Sequence, residues 1–285
     1  MLMVLTCAAA LWGASPPPQA VKIWVRLADK GPQAPSRAGS RAYEDFPVYE
    51  PYVLALRGKG FFRDTRVKWQ NLVSGWINPD SLRALRILPF VAKVSPMPRK
   101  ARYPRDPRWR PEALAQPWRR GGPAEAGAGR PLFKSAAEDI DFGAAQGLFD
   151  SLGVDRVHAW MAREKMAPGL GVRIAVIDAD FHLGNEIFRP LRSEGRIADQ
   201  WDFVDGNPRA VTESLAGSHG ASCLSLIGGN LPGTMVGVAP EATFFLYRAE
   251  EAAQERYVEE DFVAAAIERA VDSGAQVISI SLGYR

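Results

Sequence analysis

The chain has 285 residues, 47% hydrophobic and 24% charged, with two cysteines and three histidines. This composition excludes a wholly disordered chain, a collagen-like repeat, a coiled coil and a disulfide scaffold, and at about 150 residues per domain the length predicts two domains or one large one. The net charge of +3 is concentrated: residues 98–134 hold ten Lys/Arg against three Asp/Glu, which leaves the remainder of the chain acidic.

Met1 to Trp12 reads MLMVLTCAAALW and is followed by Ser15-Pro16-Pro17-Pro18. The run is too short to cross a bilayer, and residues 1–20 read as an export signal, which predicts a secreted or cell-envelope protein. Cys7 would leave with that signal. No later apolar run is long enough to predict a membrane span.

Residues 21–97 read as a small α+β domain. Val21 to Leu27 alternates and is β-branched, and Val67 to Ile77 reads as a strand or hairpin. Pro47 to Gly60 has helical spacing, Asn78-Pro79-Asp80-Ser81 starts a second helix, and Pro89 to Val94 closes as a strand. The order β-α-β-(β)-α-β predicts a ferredoxin-like arrangement. The segment has no histidine or cysteine. Residues 98–138 then turn rich in Pro, Arg, Gly and Ala, a composition that cannot bury enough apolar surface to fix itself. Arg with interleaved Trp and Tyr also suits nucleic-acid contact. The linker reading is preferred, because the basic residues do not share a helix face, and no nucleic-acid partner is expected.

Residues 139–285 change character again. Arg173 to Asp178, Thr243 to Arg248 and Val277 to Leu282 are apolar runs of the kind found in buried parallel strands, and Trp201 to Val204 is a shorter candidate. Val154 to Met166 reads as a helix carrying His158, and Glu259 to Ser273 reads as a second one ending at Gly274. Alternation of strand and helix predicts a parallel sheet with helices on both faces. Functional groups gather at the carboxyl ends of such strands, where Asp178 stands. His219 opens another helical stretch, Ser218-His219-Gly220-Ala221-Ser222-Cys223. Cys223 reads as a small core residue, and His158 and His182 read as surface residues.

Three blocks occur in order: Gly171 to Asp178; Ser218-His219-Gly220 with Gly237-Val238-Ala239-Pro240; and Gly274 to Gly283. Together they resemble the subtilisin-like serine peptidases, the subtilases, and the resemblance covers the last half of the chain. It implies a truncated subtilisin-like sheet preceded by a propeptide-type domain, and a secreted serine endopeptidase acting on proteins or peptides. Asp178 takes the place of the relay aspartate, His219 that of the general base, and Ser281, Leu282 and Gly283 that of the strand that pairs with extended substrate. Residues 21–97 become an intramolecular chaperone and inhibitor. The family's nucleophilic serine and oxyanion asparagine come later than Arg285, so the chain as it stands is expected to be inactive. A pseudo-peptidase or interaction protein that keeps the fold is the alternative. Asp178-Ala179-Asp180 replaces the family's Asp-Thr/Ser-Gly, and His219-Gly220-Ala221 replaces His-Gly-Thr. Cys223 matches the position where thiol-containing members carry a free cysteine beneath the histidine. The resemblance requires no cofactor for catalysis and no metal at the relay. Structural calcium is common in the family, but the sequence identifies no ligands for it.

Overall fold

The computed structural model describes residue 17 and residues 19–36, 41–97, 140–211, 219–251 and 259–283. The residues read as an export signal (apart from a few at its end), those read as a linker over 98–138, and Ser218 lie outside the described residues. Among the described residues, no helix is long and apolar enough to cross a membrane.

The first part of the chain contains β1 (Val21–Leu27), α1 (Arg41–Asp45), α2 (Glu50–Arg57), β2 (Phe62–Val67), β3 (Leu72–Ile77), α3 (Leu82–Arg86) and β4 (Val91–Pro96). The strands form one sheet in the order β2-β3-β1-β4. Every neighbouring pair in it is antiparallel, as a split β-α-β arrangement requires. Alternation in β1 sends Ile23, Val25 and Leu27 into a core with Val53, Leu56, Phe61, Val73, Ile77 and Leu85. Gly75 lets the Phe61 ring lie against β3, since a Cβ there would fall 2.5 Å from Phe61 Cζ. Lys22, Trp24 and Arg26 point to the opposite face of the sheet, with Ser74 paired across from Trp24.

The second part contains α4 (Gln146–Leu152), α5 (Val154–Arg163), β5 (Arg173–Asp178), α6 (Arg189–Ser193), β6 (Ile197–Asp202), α7 (His219–Gly228), β7 (Asn230–Leu231), β8 (Met235–Val236), β9 (Thr243–Arg248), α8 (Glu260–Asp272) and β10 (Val277–Ile280). Its main sheet has the order β10-β5-β9-β6, and all three pairings are parallel. Ile174, Val176, Phe244 and Leu246 pack on one face with Leu224 of α7. Ala175, Ile177, Phe245 and Tyr247 pack on the other with Ala266 and Ala270 of α8. Burial on both faces explains why β5 and β9 read as continuous apolar runs rather than alternating ones.

Four readings are corrected in detail. β6 begins at Ile197, earlier than the tryptophan that marked it, and β10 stops at Ile280. His158 is not a surface residue: it is 2% exposed, and its ring Nε2 lies 2.8 Å from the Val238 carbonyl oxygen. Cys223 is half-buried rather than part of the core.

The outer face of the first sheet lies against α8. The backbone N–H groups of Lys68 and Trp69, in the turn between β2 and β3, donate to the two Glu268 oxygens at 2.7 and 2.8 Å. Lys68 Nζ pairs with Asp272, and Lys22 Nζ pairs with Asp261 at 2.9 Å.

Candidate active site

Asp178 is the last residue of β5, fully buried where the central strand reaches its carboxyl end. His219 is the first residue of α7, so its ring projects from the helix start beside that end. Its Nδ1 lies 2.6 Å from Asp178 Oδ1, a short, charge-assisted contact in the geometric sense. The same Oδ1 accepts the Ala179 N–H at 2.7 Å. The histidine side chain is 48% exposed while the aspartate is closed off. A carboxylate fixed at Nδ1 leaves Nε2 as the nitrogen available toward solvent, the arrangement a general base needs.

The close approach of α7 to the turn after β5 depends on Gly220. A Cβ at that position would sit 3.0 Å from the Asp180 carbonyl oxygen and 3.1 Å from Asp178 Cβ. The Ala221 N–H donates to the same Asp180 carbonyl at 3.3 Å, which stitches the helix start to the turn.

Ser281, Leu282 and Gly283 follow β10 immediately. The register pairs Ile280 with Ile177, which brings Ser281 beside Asp178. Ser281 and Gly283 are exposed and Leu282 is half-buried. Space around Gly283 is open. All five residues singled out in the sequence therefore share the carboxyl end of one sheet.

Cys223 lies one turn along α7, with Sγ 3.9 Å from both His219 ring nitrogens. Burial pushes its thiol pKa up, a hydrogen bond with Ser281 opposes that, and the Asp178 carboxylate adds to it. Asp178, His219 and Cys223 offer one oxygen, one nitrogen and one sulfur donor within 4.8 Å of one another. That donor set suits a borderline-soft cation such as zinc and not calcium, which takes oxygen ligands.

A charged cluster beside the site was not visible in sequence. Arg248, the last residue of β9, reaches Asp180 at 2.7 Å, Asp202 at 2.8 Å and Asp205 at 2.7 Å. Burial raises the pKa of Asp180, and Arg248 opposes the rise. Asp202 is raised for the same first reason, opposed by the Asp205 N–H and by Arg248. Asp180, at the position where the resemblance predicts glycine, is held in an ion pair with Arg248. The available signal was positional: Asp180, Asp202 and Arg248 all stand at or just past carboxyl ends of neighbouring strands.

Residues 169–285 match the family model described as the Subtilase family. This segment is similar to the subtilases. The chain is 34% identical over 122 residues to the minor extracellular protease Vpr of Bacillus subtilis (strain 168), a match covering 40% of this chain and 14% of that protein. It is 31% identical over 119 residues to thermitase of Thermoactinomyces vulgaris, covering 41% of this chain and 39% of that one. The chain thus spans well under half the length of either relative. Among solved structures, the epidermin leader peptide processing serine protease of Staphylococcus aureus superposes with a TM-score of 0.51 at 11% identity, covering 92% of this chain and 50% of that one. At that identity the likeness concerns fold. The parallel sheet with α7 and α8 on opposite faces is accordingly the subtilisin-like sheet expected from the sequence.

Proposed function

We propose that the subtilase segment supplies the aspartate and histidine of a serine endopeptidase relay. The observation that carries this reading is the 2.6 Å contact between Asp178 Oδ1 and His219 Nδ1 at the carboxyl end of the parallel sheet. A serine hydroxyl is a weak nucleophile until a neutral imidazole takes its proton. Asp178 holds the ring in the tautomer with its proton on Nδ1 and stabilises the imidazolium once Nε2 has taken the serine proton. We assign the serine and the oxyanion donor to sequence following Arg285. Catalysis by this relay needs no cofactor. Ser281 to Gly283 extend the exposed edge at β10, where an extended protein or peptide substrate can add as a strand through main-chain hydrogen bonds.

Two further parts of the reading concern the rest of the chain. Residues 1–20 direct export, in keeping with a relative named as an extracellular protease. Residues 21–97 act as an intramolecular partner of the peptidase segment, seated on α8 and serving as folding aid and inhibitor. Residues 98–138 join the two. The test is hydrolysis of a protein substrate by the complete reading frame, alongside Asp178→Ala and His219→Ala. Loss of turnover in both supports the relay; near-normal turnover in either overturns it.

A further inference from the structure

An antiparallel sheet packed on one face normally leaves its other face to water. In the first sheet α8 covers the part of that outer face that carries Lys22 and Ser74, and the contact has two chemically different halves. At the β2–β3 turn, Glu268 accepts two backbone N–H groups, from Lys68 and Trp69. Backbone donors of this kind are available on any hairpin turn, so they give adhesion with little choice of partner. At the other half, Lys22 of β1 places its ammonium 2.9 Å from both oxygens of Asp261 in the first turn of α8. Ser74 of β3 donates its hydroxyl to the same carboxylate. The Phe262 ring closes over the ammonium, with Nζ 4.0 Å from its centroid. The two charged side chains are 2% and 0% exposed and come from positions 239 residues apart.

Building on the reading of residues 21–97 as an intramolecular partner, we propose that Lys22, Ser74 and Asp261 form a selectivity lock through which this domain recognises the α8 surface of its own chain. A buried ion pair is weak as glue, because both charges must leave water before they meet. Burial does hold the Lys22 pKa below its ordinary value against the pull of Asp261 and Glu259, with Arg63 adding to the depression. The same desolvation makes the pair discriminating. A helix without an acid at this position would bury the Lys22 ammonium unpaired, and a sheet without the lysine would strand Asp261. Either mismatch costs far more than the matched pair gains. Glu268 and the turn therefore supply contact, while Lys22 and Asp261 decide with whom.

The Lys68 and Trp69 amides report the contact directly, since both donate across it. Their hydrogen exchange is measured by residue-resolved NMR in the full chain, in Lys22→Met, in Asp261→Leu and in the double variant. Val176 and Leu246 amides of β5 and β9 serve as the control for an intact second sheet. Slow exchange at Lys68 and Trp69 is expected in the unaltered chain. Each single substitution should speed it by at least about tenfold, because each leaves one buried charge unpaired. The double variant should return to within about threefold of the unaltered chain, since neither charge is left. Singles without effect, or a double variant as fast as the singles, would overturn the lock while leaving the docking itself standing. Fast exchange at both amides in the unaltered chain, with β5 and β9 still protected, would instead remove the intramolecular-partner reading on which the lock rests.

Discussion

Two fully buried carboxylates, Asp178 and Asp261, each hold a nitrogen base at short range, yet their settings differ in one respect. The partner of Asp178 is a histidine whose side chain is 48% exposed, and the partner of Asp261 is a lysine at 2%. In the first pair the buried acid orients a group that still reaches outward, so proton transfer to an incoming molecule stays open. In the second both members are sealed and nothing can be exchanged, so the pair serves only to match surfaces. Access to the partner, more than the strength of the contact, separates a reactive arrangement from a recognition one.

The comparison breaks most visibly at the reactive pair. For the relay proposed above, Asp178→Asn should lower kcat/KM for peptide hydrolysis by the full reading frame by about 10,000-fold, because the amide no longer enforces the productive tautomer. The fold should persist by circular dichroism. Next in size is Arg248→Met. It leaves Asp180, Asp202 and Asp205 facing one another without their shared cation, and a loss of about 3–5 kcal/mol is expected in denaturant titration. Without the arginine the carboxylate pKa values of Asp180 and Asp202 rise further above their unfolded values. Protonation then favours the folded form, and the deficit should shrink as pH falls.

A smaller effect comes from His158. Burial depresses its pKa below 6.5, opposed by the bond to Val238. The unfolded chain therefore takes up a proton before the folded one does. The stability that this residue contributes is complete above about pH 6.5 and fades as the pH falls toward its depressed folded value. Thermal melts between pH 7 and 5 should show that slope, and His158→Gln should flatten it. The smallest effect belongs to Cys223. Because burial raises its thiol pKa, alkylation at pH 8 should run slower than for a free thiol, and Cys223→Ala should cost about 1 kcal/mol or less.

Much of this architecture was legible in sequence where local physics and tertiary role coincide. β5 and β9 are buried on both faces, so their apolar runs announce them. The helix opening at His219 and its fit against the turn after Asp178 follow from Gly220 and the small residues beside it. The start of β6 was missed because Ile197–Asp202 is only partly buried, and its Asp199 is held by Arg269 of α8 at 2.7 Å. No strand pattern encodes that partnership. His158 was misplaced because the carbonyl that receives it belongs to Val238, 80 residues away. The Arg248 cluster and the Lys22–Asp261 pair were invisible for the same reason: each joins positions whose separation in sequence carries no periodic signal. The juxtaposition of Asp178 and His219 was readable because the two stand at element boundaries, where a strand ends and a helix begins.

The exit from β4 has a mechanical consequence. The Met97 N–H is fastened to the Lys22 carbonyl at 3.1 Å, so the segment leaving the first sheet is moored to the residue that carries the sealed ammonium. Tension along the chain beyond position 97 is delivered to β1 at that anchorage, where load and latch share a single peptide.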